Sequence, residues 1–141
     1  MLATTGFLLS KVGQAVTADY AERVAPLGLR PRHVGLLVAV DAAPEASQRE
    51  IGETLGLVPS AIVPMVDDLE RLGALHRVVD PANRRRHTLA LTPEGRALLA
   101  QAVAHAAAQD DDVLAGLDAA QRQALHTALT GLLARGDRSA G

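Results

Sequence analysis

The side chains best suited to chemistry form a cluster of arginines in the middle of the chain. Between His76 and Arg96 five arginines face only two acids, although the whole chain carries a net charge of -2. The five are Arg77, Arg84, Arg85, Arg86 and Arg96. Guanidinium groups are attracted to DNA phosphates and to the negative potential of a minor groove. This local sorting of charge indicates a surface for nucleic acid, although a charge run by itself is often only solvated.

Most catalytic and metal-binding chemistry is excluded by the residues that the chain lacks. With no cysteine, disulfides, thiolate nucleophiles and cysteine-ligated zinc cannot form. None of the five histidines is paired at the i, i+3 or i, i+4 spacing that brings two ligands together on a helix. No glycine-rich phosphate loop, nucleophile elbow or clustered acid-base set is present. The sequence therefore predicts a protein that is not an enzyme and that uses no metal or cofactor.

The composition predicts one mainly helical domain of 141 residues. The chain is 48% hydrophobic and 21% charged, which is enough for a real core, and Phe7 and Tyr20 are its only aromatic residues. The first residues have no basic segment before their short apolar patch, and no run of 18 apolar residues occurs. We therefore expect neither a signal peptide nor a membrane span, no membrane partner, and a cytoplasmic location.

Four helices are predicted before the arginine cluster. Apolar residues recur every four positions over 5–25, and a more buried helix follows over 31–41. Ser47 and Glu50 form a capping box before a short helix over 48–55, and Gly56 ends it. Another helix opens near Pro59 or Ser60 and ends at Gly73. Two helices joined by a tight glycine turn predict a helix-turn-helix.

A hairpin follows and places the arginines. Short strands are predicted over 75–79 and 87–92, with a turn at 80–83 that brings Arg84, Arg85 and Arg86 to the tip and the returning strand. Thr92 and Asp118 cap two last helices, which reach about residues 114 and 134. This order predicts a mainly α (α+β) winged helix-turn-helix with a small β-hairpin wing. Behind a helix-turn-helix, the arginines favour DNA contact over simple solvation.

The second helix of such a motif enters the major groove through its N-terminal residues. Here those residues are Ser60, Ala61, Val63 and Pro64. Proline lacks an amide donor and disfavours helical backbone at Val63, so we expect the helix to kink at Pro64 or to begin late. Val63 and Pro64 cannot form bidentate hydrogen bonds with bases. Readout would rest on Ser60 and on apolar contact with thymine methyl groups, with modest or indirect specificity.

The pattern over residues 60–95 resembles the MarR family of bacterial transcriptional regulators, and the similarity extends over most of the chain. The matching residues are Val66-Asp67, Leu69-Glu70, Gly73, Leu75, Arg77, Asp80-Pro81, Arg85, Leu91-Thr92 and Gly95. The resemblance implies a homodimer of interleaved first and last helices, a pseudo-palindromic operator in double-stranded DNA, and release by a small aromatic or phenolic effector. The family usually has a second acid where Asn83 stands, so the ion pair that orients the wing arginine is lost and a more mobile wing is expected.

The resemblance also implies roles for individual residues. Arg85 would be the wing-tip arginine, Arg77 a contact to the DNA backbone, and Ser47 and Gln48 would lie near phosphate. Tyr20 and His33 either line an effector crevice or pack in the core.

The predicted organisation is a single MarR-like unit over 1–141, with a winged helix-turn-helix over 31–92 and dimerisation helices over 5–25 and 93–135. Apolar stripes on the first and last helices, such as Leu8 with Val12 and Leu125 with Leu129, form either a dimer interface or an intramolecular core. The main hypothesis is a homodimeric DNA-binding repressor. The alternative is a winged-helix interaction module without specific DNA binding, as Pro64 suggests.

Overall fold

The computed structural model describes residues 3–139, which contain six α-helices and one antiparallel hairpin. The helices are α1 Thr5–Val24, α2 Pro31–Ala42, α3 Gln48–Thr54, α4 Pro59–Arg71, α5 Pro93–Val113 and α6 Ala119–Ser139, and the strands are β1 Leu75–Asp80 and β2 Asn83–Leu91. A short 3₁₀ turn, Ala25–Leu27, follows α1. The predicted mainly α winged helix-turn-helix is confirmed. By their contacts the described residues divide into two compact units, one up to Ala107 and one from Ala108 onward.

The helix-turn-helix of the first unit is built from α3 and α4. The predicted capping box is present: the Ser47 hydroxyl accepts from the Glu50 amide at 3.1 Å, and the Glu50 carboxylate accepts from the Ser47 amide at 2.6 Å. Gly56 then adopts a φ of 68°, which a residue without a side chain reaches at little cost. These two features fix where α3 begins and where the chain turns toward α4.

Helix α4 does not begin late at its internal proline, and its predicted start near Pro59 is confirmed, while the expected kink at Pro64 remains a prediction. It begins at Pro59 and continues through Pro64 to Arg71. A proline inside a helix costs about 3 kcal/mol, because it removes one hydrogen bond and crowds the preceding turn. The inner face of α4 buries Ile62, Met65, Val66 and Leu69. Each fully buried apolar side chain of this size contributes about 1.5–3 kcal/mol, so packing outweighs the proline.

The wing is longer than predicted on its returning side. Leu75 pairs with Leu91 and Val79 with His87, and a register shift separates Val79 from Asp80. Strand β2 starts at Asn83, so the three arginines lie within the strand. An isolated bridge between Ser47 and Thr88 also joins the wing to the start of α3.

One apolar core holds these elements of the first unit together. Its fully buried large side chains are Val24, Leu36, Leu37, Val40, Ile51, Val66, Leu69, Leu75 and Leu89. The predicted Thr92 cap is confirmed, because its hydroxyl accepts from the Gly95 amide at 2.9 Å. The same hydroxyl donates to the Gly73 carbonyl at 2.5 Å. The start of α5 is thereby fixed against the end of α4.

Asp118 caps α6 in the second unit, as predicted. Its carboxylate accepts from the Gln121 amide at 2.8 Å, and the Gln121 side chain accepts from the Asp118 amide at 3.0 Å. Leu125, Leu132 and Leu133 of α6 remain exposed. No helix within residues 3–139 is long and apolar enough to cross a bilayer.

Candidate nucleic-acid interface

Two wing arginines are available to an external anion. Arg84 and Arg85 are exposed, and neither has a hydrogen bond or ion pair through its guanidinium group within the described part of the chain. The turn before them is closed by hydrogen bonds, since the Arg85 amide donates to the Asn83 side chain at 3.1 Å and the Ala82 amide donates to Asp80 at 2.9 Å. The turn therefore presents two unneutralised cations beside these hydrogen bonds.

The third wing arginine, Arg86, is occupied by the protein. Its guanidinium contacts Asp80 and Glu50 at 3.3 Å each and donates to the Glu45 carbonyl at 3.0 Å. Arg86 thus connects β2 to the start of α3. The side chain of Asn83 is neutral and forms no ion pair within the described residues. The contacts of Arg86 restrain the wing in place of the ion pair that the family usually has. Enhanced wing mobility remains a prediction.

Glu50 serves both the α3 cap and this connection. Hydrogen bonds from the Ser47 amide and hydroxyl, followed by the charge of Arg86, lower the pKa of Glu50 below its ordinary value of 4.5. A carboxylate with a lowered folded-state pKa stabilises the fold above its unfolded-state pKa, and this contribution is lost as the pH falls through the folded value. The structure therefore links Glu50 to acid sensitivity below about pH 4.5.

We expect Glu50→Gln to flatten the loss of stability in acid. The amide preserves the shape of the side chain but does not titrate, so the free energy of unfolding should change less steeply below pH 4.5. Urea unfolding at a series of pH values would check this, with Glu53→Gln, an exposed carboxylate of the same helix, as the matched control. An equally steep acid limb in Glu50→Gln and the wild type would contradict the assignment.

Arg77 is half-buried at the junction of α3, α4 and β1, with 23% of its side chain exposed. Its guanidinium donates to Asp67 at 2.8 Å, to Glu70 at 2.6 Å and to Gln48 at 2.9 Å. Its backbone amide also donates to Glu70, at 3.0 Å. The side chains of Arg77 and Gln48, both expected near phosphate, are therefore directed toward each other.

Replacing Arg77 with glutamine should destabilise the fold by about 1–3 kcal/mol, because charged hydrogen bonds are lost and two carboxylates are left close together. Denaturant unfolding would measure the change. Arg71→Gln is the matched control, since Arg71 is exposed and, within residues 3–139, pairs with Asp68 alone. A loss for Arg77→Gln no larger than that of the control would show that the network contributes little.

The outer face of α4 carries the predicted base-reading residues. Ser60, Val63 and Pro64 are exposed and Ala61 is half-buried. Val63 keeps 39% of its surface accessible although Ile62 beside it is buried, so the helix separates an exposed face from a packing face. Val58, which directly precedes the helix, is 62% exposed and was not among the predicted contacts.

A groove between α3 and the wing brings several predicted residues together. Its walls include Ser47, Gln48, Arg49, Asn83, Arg85 and His87. The Ser47 side chain is buried and its hydroxyl takes part in the cap of α3, and its expected contact with a phosphate remains a prediction. Arg49, which sequence reasoning missed, is 84% exposed and pairs with Glu53 one turn away.

The two residues predicted to contact an effector, Tyr20 and His33, both form hydrogen bonds within the protein. The Tyr20 hydroxyl donates to the Ala102 carbonyl at 2.9 Å, and burial raises the pKa of Tyr20. Both ring nitrogens of His33 lie within hydrogen-bond distance of protein groups. Their part in effector binding remains a prediction. Within residues 3–139, no group of three or more histidine or acidic side chains is placed to hold a metal ion.

Known proteins match the chain in sequence and structure. A model of the MarR family matches residues 27–86. An HTH-type transcriptional repressor of Mycobacterium tuberculosis is 31% identical over 121 residues, which cover 86% of this chain and 87% of that protein. The repressor CouR bound to a 23-mer DNA duplex is 35% identical, with a TM-score of 0.83 and 92% of each chain covered. CouR from Rhodococcus jostii RHA1 bound to p-coumaroyl-CoA is also 35% identical, with a TM-score of 0.76 and the same coverage.

The family match includes the residues of the resemblance as far as Arg85, whereas Leu91-Thr92 and Gly95 lie beyond it. The family match spans α3, α4 and the arginines of the wing. The Mycobacterium relative and CouR extend the similarity over most of the chain at more than 30% identity. The chain belongs to the MarR family of transcriptional regulators.

Proposed function

We propose that this protein is a homodimeric repressor that binds a pseudo-palindromic operator in double-stranded DNA. The observation that carries the proposal is the pair of unneutralised arginines, Arg84 and Arg85, on a wing beside the open face of α4. Phosphate and minor-groove contacts would come from the wing, and base contacts from Ser60, Ala61, Val63 and Pro64. Two relatives support the proposal, since the Mycobacterium tuberculosis protein is a transcriptional repressor and CouR is a repressor bound to a DNA duplex.

A dimer is supported by apolar side chains that the single chain leaves in water. Leu8 and Val12 of α1 are 51% and 54% exposed, and Leu125 and Leu132 of α6 are 37% and 52% exposed. Exposed apolar side chains that cluster on one surface often mark a protein–protein interface. We assign dimerisation to residues 5–25 and 93–135 and DNA binding to residues 31–92. Two winged helices related by a two-fold axis would then read two half-sites.

A small effector would release the operator. CouR bound to p-coumaroyl-CoA shows an aromatic acyl thioester held by a similar protein, and it motivates a phenolic or related compound for this chain. Tyr20 and His33 stay the candidate contacts. The protein would act in the cytoplasm as a regulator and not as an enzyme.

Selection from a random pool of double-stranded DNA tests this function. The purified protein is incubated with the pool at moderate salt, and the bound DNA is recovered and sequenced over several rounds. We expect convergence on a pseudo-palindrome with half-sites about one helical turn apart. Light scattering serves as the control for a folded dimer. A folded dimer that enriches no sequence would overturn the proposal.

A further inference from the structure

His33 joins the start of α2 to the recognition helix α4. It is the third residue of α2, and only 5% of its surface is exposed. Its Nδ1 lies 3.0 Å from the Arg30 amide, and its Nε2 lies 3.1 Å from the Asp68 carboxylate on α4. The buried ring therefore links the start of α2 to Asp68 of α4, which is 35 residues further along the chain.

The two contacts fix which nitrogen carries the proton. A backbone amide can only donate, so Nδ1 of His33 must accept from Arg30 and must be unprotonated. Nε2 then holds the hydrogen of the neutral ring and donates it to Asp68. The hydrogen bond from His33 also lowers the pKa of Asp68, which keeps the acceptor ionised. The result is a directional, charge-assisted link from α2 to α4.

Helix α4 is held on two sides by neighbouring residues. Asp67 is bonded to Arg77 of β1, and Asp68 is bonded to His33 of α2. Successive residues of a helix project about 100° apart, so two such links restrain rotation about the helix axis. Asp68 also lies one turn after Pro64, close to the exposed face. The restraint acts near the residues proposed to meet the bases.

We propose that His33 is a positioning residue for sequence recognition, which sets the rotation of α4 through Asp68 and so aims Ser60 and Val63 at the base edges. The inference rests on the DNA-binding function proposed above. It assigns His33 a role without any contact to DNA. Phosphate contacts by the wing do not depend on this rotation, whereas base contacts do. Loss of the link should therefore reduce discrimination between sequences and leave non-specific binding intact.

Three variants separate the two halves of the link. Asparagine places an acceptor near the position of Nδ1 but cannot reach Asp68, so His33→Asn retains the α2 contact alone. Glutamine places an amide donor near the position of Nε2, so His33→Gln retains the α4 contact alone. Asp68→Ala removes the acceptor from a side chain that is 34% exposed, where folding is least at risk.

The measurement is the ratio of affinities for the selected operator and for a scrambled duplex of equal length, taken by fluorescence anisotropy. We expect His33→Asn and Asp68→Ala to lower this ratio about tenfold, which corresponds to about 1.4 kcal/mol. Affinity for the scrambled duplex should not change. His33→Gln should keep the wild-type ratio but melt at a lower temperature.

The outcomes are distinguishable from one another. A merely structural role would lower the fraction of folded protein, and both duplexes would lose affinity equally. That result, or a wild-type ratio in His33→Asn and Asp68→Ala, would overturn the assignment of His33. If the wild type itself prefers no sequence, the DNA-binding function fails instead.

Discussion

Replacing Arg85 with alanine is expected to weaken operator binding roughly thirtyfold, or about 2 kcal/mol for a dimer that carries two copies. Arg85 is exposed and its guanidinium has no partner in the described chain, so its full charge is available to DNA. Each arginine that releases a counterion contributes about 0.9 to the log-log salt dependence. The slope of affinity against salt should therefore fall by about two in the variant dimer. Anisotropy titrations at several salt concentrations measure both quantities.

Arg96→Ala is the matched control for this experiment. It removes the same charge from each protomer, but Arg96 lies on α5 and pairs with Asp41 at 3.2 Å. A change in net charge alone would affect both variants equally. If Arg85→Ala binds the operator as tightly as the wild type, the wing takes no part in binding.

Gly95→Ala is expected to destabilise the fold by more than about 3 kcal/mol, or to prevent folding, because the added carbon has no space. An ideal Cβ at this position would lie 1.8 Å from the Ala74 carbonyl oxygen and 2.7 Å from its carbon. Ala74 cannot move aside easily. It is fully buried, its amide donates to Leu69 and its carbonyl accepts from Thr92. Denaturant unfolding of the purified variant measures the loss.

Gly35→Ala gives the comparison within the same unit. A Cβ at Gly35, inside α2, meets nothing within 4 Å. Alanine favours a helix over glycine by about 1 kcal/mol, so this variant should be slightly more stable than the wild type. A Gly95→Ala protein with a stability near that of the wild type would show that the start of α5 can shift away from Ala74.

The helix starts could be predicted because they depend on residues close in sequence. Ser47 and Glu50 stand three residues apart, which is the spacing of a capping box. Thr92 and Asp118 directly precede the first residue of a helix, a proline and an alanine, and are of residue types that cap helices. The order of helices and hairpin followed from these starts and from the glycine turns. Whether α4 runs through Pro64 or begins after it could not be decided from the sequence, because the answer depends on how deeply Met65 and Val66 are buried.

It could not be predicted either which arginines pair within the protein and which stay available to DNA. Arg84, Arg85 and Arg86 are consecutive in sequence, yet among the described residues it is Arg86 that bonds to Glu50, which is 36 residues away. The same holds for Arg77, whose partners lie on two other elements. Gly95 matched a family pattern. The reason why glycine is needed there, the close approach of the Ala74 backbone, is seen only in the structure.

The tether at Arg86 also has a consequence for the thermodynamics of binding. The root of β2 is buried at Leu89 and Leu91, and Arg86 anchors its middle, so both contacts restrain the wing before DNA arrives. On binding, the side chains of Arg84 and Arg85 would lose rotamer freedom, at about 0.5–1.5 kcal/mol each. Each restraint that already acts on the free wing lowers the entropic penalty of closing it on DNA.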